Sequence, residues 1–401
     1  MANRHGLKRT GLLIGMILLA ANLRPTITGV GPLITPISQG THLPSAVSGL
    51  VTTTPLVAFG LVSLAAPGVA RRFGLERALF LGLVLLLVGT LLRSFAASAW
   101  GLLAGMFLVG SGVALANVLL PSLVKRDFAS QIGLVTGIYV TVMNVFAGLA
   151  SGISVPLARA LPGGWRGALA IWALLTLLAL IWWIPYLGRR HPPAPRTAGS
   201  ARTLWRSWLA WQLTLFMGLQ SLLFYVSIAW LPTLLHSRGL SLTTAGWLVF
   251  AMQMVGLPWT FAVPILAGRL RQQFSLVLGV SLTFFLGLGG LLVTHGLWAL
   301  VLSMVLLGFG TGSSISLALA FFGLRTRHHD TAGAISGMAQ SFGYLLAAIG
   351  PFAIGYLYTV TQAWTIPLVL LLAVAVLMGF FGLGSARDRY IDAPPASPSG
   401  P

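Results

Sequence analysis

Twelve apolar stretches of roughly 20 to 28 residues, the length an α-helix needs to cross a bilayer, follow one another along this chain. They run near 10–37, 44–69, 77–95, 98–122, 131–158 and 166–188, then near 207–235, 243–268, 274–294, 296–324, 331–358 and 363–386. In lipid every backbone N–H and C=O has to find a partner inside the protein, so stretches of this length read as helices. With 57% of its 401 residues hydrophobic and only 7% charged, the chain has too little polar surface to coat a water-soluble core. The expected fold is an all-α membrane protein of twelve transmembrane helices in two six-helix halves.

The longest polar interruption, Gly188 to Arg206, carries HPPAPRTAGSAR at its centre and has the Pro- and Ala-rich composition of a flexible linker. It divides an N-terminal bundle (1–188) from a C-terminal bundle (207–386), with the linker at 189–206 and a disordered tail at 387–401. The other connections are short, which makes neighbouring spans antiparallel. The halves also echo each other. Pro32 and Pro232 lie 200 residues apart, as do Gly137 and Gly337. Gly49, Pro67 and Arg72 match Gly246, Pro264 and Arg269 at 197, and Met106, Gly110 and Gly112 match Met304, Gly308 and Gly310 at 198. Four sets so close to one offset point to a parallel duplication, an arrangement found among transporters. The 48 glycines cluster in spans four, five, ten and eleven, where small residues let helices approach closely.

Charge is distributed by side. Of the 24 Lys and Arg residues, 19 fall in the loops and tails on the side of the two termini, and Arg93, Arg159, Arg166 and Arg238 on the other. By the positive-inside rule both termini are expected in the cytoplasm. The net charge of +19 is then a topology signal with an affinity for anionic headgroups, and no nucleic-acid partner is expected. Cysteine is absent, which excludes disulfides and thiolate metal sites, and no metal or cofactor is expected. The basic start resembles a signal peptide, but its apolar run continues through Pro25 to Ile37 and reads as an uncleaved first span.

Arg24 remains, halfway along the first span. The five acids (Glu76, Asp127, Asp330, Asp388 and Asp392) all map to loops or the tail, so no span offers it a counter-charge. A guanidinium stays protonated at any physiological pH, and placing one at mid-bilayer costs about 2.5–3.5 kcal/mol on insertion scales. Such a residue either faces a wet cavity whose anion or strongly polar guest comes and goes, or is satisfied permanently by backbone carbonyls or an aromatic ring; the first is the expectation. Pro25 removes a backbone donor and biases Arg24 away from helical angles, while Pro32 and Pro36 weaken the outer half of the same helix. A broken helix beside a charge is a common way to build a midplane binding site.

Further polar side chains recur near mid-depth. The candidate substrate-binding set is Arg24 with Asn22, Thr28, Asn117, Asn144, Gln220, Tyr225, Gln253, Gln340 and Tyr344. Thr53, Thr54, Tyr139, Ser221, Ser313, Ser314 and Ser341 lie at similar depth. For each of these neutral groups an interhelical hydrogen bond stands beside ligand contact as an explanation. No span contains Asp, Glu, Lys or His, and the seven histidines map to loops or span ends. Coupling through a buried carboxylate is disfavoured, leaving facilitated movement, exchange, or a proton carried on the substrate.

Three stretches, NLRPTITGVGPL (22–33), GVALANVLLPSLVKRDF (112–128) and SGMAQSFGYLLAAIGP (336–351), resemble the major facilitator superfamily and, within it, the cyanate and 2-nitroimidazole permease family. The likeness extends across all twelve spans and is nearer to the 2-nitroimidazole member. It implies a secondary active or facilitative transporter in the cell inner membrane, acting as a monomer. Such a carrier moves a cyanate-like anion or nitroimidazole-like heterocycle by alternating access, with Arg24 in the central cavity. The superfamily's loop motif survives in part as PGVARRFGLER (67–77), with Arg71 where an aspartate is usual. It makes Arg72, Arg77 and Asp127 the gating candidates. The span-five glycine–proline motif of antiporters is only loosely present in GLASGISVP (148–156). A multidrug exporter is the alternative, disfavoured by a basic cavity. A membrane-embedded enzyme would need paired His, Asp or Glu within the spans, and ATP-driven transport a GxxxxGK[ST] loop; neither is present.

Overall fold

The computed structural model of the chain describes residues 2–41, 50–188, 204–294 and 296–392. Among the described residues there is no strand, and twelve helical spans are long and apolar enough to cross a membrane. Spans one to six are Thr10–Leu33, Thr53–Phe73, Leu75–Ser94, Ala99–Asp127, Ala129–Ala160 and Trp165–Tyr186. Spans seven to twelve are Trp208–Ser237, Thr244–Arg269, Phe274–Val293, Leu297–Leu324, His329–Thr361 and Thr365–Ser385. Each coincides with an expected stretch, and the chain is a multi-pass membrane protein.

The ends differ from expectation where helices carry polar first or last turns. Glu76, expected in a loop, occupies the first turn of span three and is buried. Asp127 closes span four, and Asp330 opens span eleven. An acid suits the first turn, because it faces the positive end of the helix dipole.

Twelve alternating crossings bring the start of span one and the end of span twelve to one face, hereafter the terminal face. Its connections interlock. Ser122, near the end of span four, donates to the His329 carbonyl at the start of span eleven (2.5 Å). Arg325, after span ten, donates to the carbonyls of Ser385 (2.8 Å) and Ala386 (3.0 Å) at the end of span twelve.

The duplication read from the sequence recurs as matching contacts. A Cβ on Gly110 would meet the backbone of Pro55, and one on Gly308 the backbone of Met252, so spans two and four cross as spans eight and ten do. Between the halves, Gly137 of span five lies against the Phe261 carbonyl of span eight, and Gly337 of span eleven against the Ser63 carbonyl of span two. Lipid offers no hydrophobic drive between helices, so approach this close is what holds such a bundle together.

The expected linker lies outside the described residues except for 204–206, which form a helical turn. The tail was expected to be disordered throughout. Residues 393–401 lie outside the described set, but residues 387–392 are docked. Ile391 donates its N–H to the Arg325 carbonyl (3.0 Å), and the Tyr390 ring sits 5.1 Å from the Arg327 guanidinium. The Asp392 carboxylate accepts from the backbone N–H groups of Arg327 (2.8 Å) and His328 (3.0 Å), capping span eleven. Burial pushes the Arg325 pKa down, and the nearby Asp388 and Tyr390 oppose that shift. Asp392→Ala removes the cap and its charge, and is expected to cost about 1 kcal/mol. A melting temperature in detergent equal to that of the parent protein would count against this docking.

Span one departs from a regular helix. It comprises a helix Ala2–Leu23, a short turn Pro25–Thr28, a 3-10 turn Gly31–Leu33 and a helix Ile34–Gly40. Arg24 keeps right-handed angles (φ −104°, ψ −38°) rather than leaving them, with Pro25 as the first residue of the next turn. The proline interrupts the hydrogen bonding.

Candidate functional site

A cavity of about 330 Å³ lies between the halves. Arg24 of span one and Asn144 of span five face it from the first half. Gln220 and Tyr225 of span seven, Gln253 and Thr260 of span eight, Thr311 of span ten and Tyr344 of span eleven face it from the second. Its lining then continues along span five to Gly152, along span seven to Pro232 and back along span eight to Gly246. All three directions lead away from the terminal face, so the cavity opens on the opposite one.

Toward the terminal face the halves are joined. Gln340 donates to the Asn117 carbonyl (3.2 Å), Ser341 to the Gly60 carbonyl, and Ser122 to the His329 carbonyl. Gly133 packs against the Pro264 carbonyl beside them. The conformation is therefore closed on one side and open on the other.

At the cavity floor Arg24 Nη1 donates to Asn144 Oδ1 (2.8 Å). Asn144 Nδ2 in turn donates to Thr260 Oγ1 (3.4 Å), whose hydroxyl donates to the carbonyls of Gly256 (3.0 Å) and Gly312 (3.1 Å). This chain of hydrogen bonds crosses from one half to the other. The Arg24 guanidinium lies 5.7 Å from the Phe224 ring centroid, and the Tyr225 and Tyr344 rings are 6.3 Å apart. Gln220 is held by Ser221 (2.7 Å) and Ser314 (3.3 Å). Among the described residues no Asp, Glu, Lys or His lines the cavity, and no cluster suited to a metal occurs.

Six of the ten expected binding residues line the cavity: Arg24, Asn144, Gln220, Tyr225, Gln253 and Tyr344. The other four serve helix contacts. Asn22 donates to the Leu18 carbonyl (2.7 Å) and accepts from Thr176 (2.7 Å), pinning span one to span six. Thr28 donates to the Ala147 carbonyl (3.0 Å). Gln340 is fully buried between Ser336 and span four, where Asn117 supplies its backbone carbonyl. Helical facing decides this: Asn22 and Thr28 turn toward neighbouring helices of the first half, and Gln340 meets the Asn117 carbonyl in the joined seam between the halves rather than in the cavity lining.

The gating candidates keep to the first half. Asp127 accepts from Arg126 (2.8 Å), which also grips Glu76 (2.6 Å), so its partner among the described residues is Arg126. Arg77 Nε donates to the Leu187 carbonyl (3.4 Å), and the exposed Arg72 stands 5.4 Å from the Phe73 ring. With Arg71 in the aspartate position of the loop motif, the closure described above rests on spans two, four, five, eight and eleven. Sequence reading also passed over Thr260 and Phe224, which carry no charge or spacing signal, and over Arg93. Assigned to an outer loop, Arg93 is instead fully buried in the last turn of span three.

A family model, Major Facilitator Superfamily, matches residues 12–351. An uncharacterised transporter of Bacillus subtilis is 48% identical over 95% of this chain and 94% of its own length. The 2-nitroimidazole transporter of Escherichia coli is 41% identical, covering 96% and 98%. Among solved structures, the transporter FucP, crystallised in an outward conformation, superposes with a TM-score of 0.75 over 94% of this chain and 99% of its own, at 12% identity. With twelve spans in two matching halves around one cavity, the chain belongs to the major facilitator superfamily of solute transporters.

Proposed function

We propose that the protein carries a small anion, or a compact polar heterocycle such as a nitroimidazole, by alternating access, with Arg24 as the group that holds it. The observation that carries this reading is the state of the Arg24 fork. Only Nη1 has a hydrogen-bond partner among the described residues, and that partner is a neutral amide. The other nitrogens border a cavity with no acid in its lining. A planar fork with unspent donors matches a carboxylate, a nitro group or a small anion, and the Phe224 ring offers a flat surface beside it. The 2-nitroimidazole transporter among its relatives supports a guest of this kind.

The reading places the protein in the cell inner membrane as a monomer, its terminal face in the cytoplasm by the excess of Lys and Arg there. The described conformation then opens outward. With no titratable acid or histidine in the cavity, coupling falls to the substrate's own proton, to exchange, or to facilitated flow.

Uptake by proteoliposomes tests this. Cyanate, nitrate, a short carboxylate and 2-nitroimidazole are offered beside a lipophilic cation such as ethidium. Saturable uptake of one or more of the first four, without ethidium uptake, is expected. Uptake of ethidium alone would instead establish drug export. An imposed pH gradient is expected to drive accumulation only of solutes that themselves gain or lose a proton. Gradient-driven accumulation of a non-titrating solute would overturn this view of coupling.

A further inference from the structure

We propose that Arg93 is a positioning residue for Arg24, acting through the Thr26 carbonyl two residues further along span one. The inference rests on the reading of Arg24 given above and concerns how that group is held.

The break in span one leaves a deficit in backbone donors. The N–H groups of Ile27 and Thr28 both turn back to the Arg24 carbonyl (2.9 Å each), and that of Gly29 to Pro25 (3.0 Å). The N–H of Val30, which in a regular helix would serve Thr26, goes to Ile27 instead (3.2 Å). Thr26 is fully buried, and a buried carbonyl without a donor is costly. Arg93 Nη1 supplies the missing donor, with Met106 Sδ at 3.4 Å as its other neighbour. Gly105 makes room for it: a Cβ there would lie 2.6 Å from the Arg93 backbone nitrogen.

Span five grips the same segment from the other side. Ser151 donates to the Thr28 carbonyl (3.3 Å), Ser154 to that of Gly29 (2.9 Å), and Thr28 to that of Ala147 (3.0 Å). The residues that carry Arg24 are thus clamped between hydroxyls of span five and a guanidinium of span three. Arg93 is an expensive choice for this work. It is wholly buried, and its Nε and Nη2 have no hydrogen-bond partner among the described residues. The five acids all lie at the terminal face, whereas Arg93 sits at the other end of its helix. A long side chain with a fan of donors reaches a displaced carbonyl from a neighbouring helix, which a serine at this site could not.

The test uses the full-length protein in detergent and in proteoliposomes. Arg93→Met is expected to raise amide hydrogen exchange across residues 25–33 about tenfold, leaving spans nine to twelve unchanged. It should also raise the half-saturation concentration about tenfold for cyanate or 2-nitroimidazole, whichever the parent protein carries, with little change in maximal rate. Arg93→Lys, which keeps a donor of similar reach, should restore both. Gly105→Ala displaces Arg93 without removing its charge and should reproduce the methionine result, so a methionine variant that fails to fold does not end the test. Parent-like exchange at residues 25–33 in both Arg93→Met and Gly105→Ala would overturn the proposal. If Arg24→Ala itself leaves uptake intact, the reading of the cavity falls, and exchange at residues 25–33 still decides whether Arg93 is the tether.

Discussion

Arg24→Ala is expected to abolish uptake in proteoliposomes, a loss of at least about a hundredfold, while the protein still folds and inserts. Hydrogen bonds to a charged group contribute about 1.5–3 kcal/mol each even in ordinary settings. A fork that holds its guest with two of them can lose all of that in a single substitution. Folding should not suffer, because the half-buried guanidinium has one hydrogen bond, to Asn144, and no counter-charge in the cavity lining. Removing a mid-membrane cation relieves an insertion cost, so the melting temperature should hold or rise. Arg24→Lys keeps charge but not the planar fork, and should retain a minor fraction of the flux. Asn144→Ala offers a finer reading. It frees Nη1 and cuts the bond to Thr260 across the halves, so it should slow turnover more than it weakens binding. Parent-like uptake by the alanine variant at position 24 would remove the basis of the site.

Much of the architecture was legible because bilayer physics leaves few choices. Segment length, the sparseness of charge within the spans and the spacing of Pro67 and Pro264 or Gly137 and Gly337 fixed helices and halves without any knowledge of contacts. The site was legible only in part. Arg24 stood out because its charge is anomalous wherever the helix turns. Asn22, Thr28, Asn117 and Gln340 were indistinguishable from ligand contacts in sequence, since residue type and depth do not report the angle at which a side chain leaves the helix. Rotational setting comes from packing between the halves, through residues such as Gly133 and Gly337 whose partners are far away in the chain. Arg93 was missed for a related reason. An arginine in the last turn of a span is ordinary when it snorkels, and only the broken hydrogen bonding of span one shows what it serves.

Gly133→Val is expected to stop the transport cycle by holding the terminal face open. Gly133 lies near the start of span five, and a Cβ there would be driven into the Pro264 carbonyl of span eight, a backbone group that cannot swing aside. Gly268 approaches the same point from the second half. Overpacking at a tight contact costs about 1–3 kcal/mol, and here the cost falls only on the state in which the halves meet. A shift of about 3 kcal/mol changes the balance of states more than a hundredfold, so flux should fall by about that factor while expression holds. Gly333 makes a useful contrast: its added Cβ would meet the Ser122 side chain rather than backbone, so Gly333→Ala should be milder, at the cost of the bond from Ser122 to the His329 carbonyl. The chain contains no cysteine, so a single one placed at the fully buried Ser336 reports closure directly. In an otherwise unaltered protein, Cys at position 336 should resist a membrane-impermeant maleimide supplied from the terminal side. With valine at 133 it should react readily, because the joint between spans four and eleven no longer forms. Continued protection of that cysteine, or flux at the parent rate, would mean that the contact between Gly133 and Pro264 is not what seals this face.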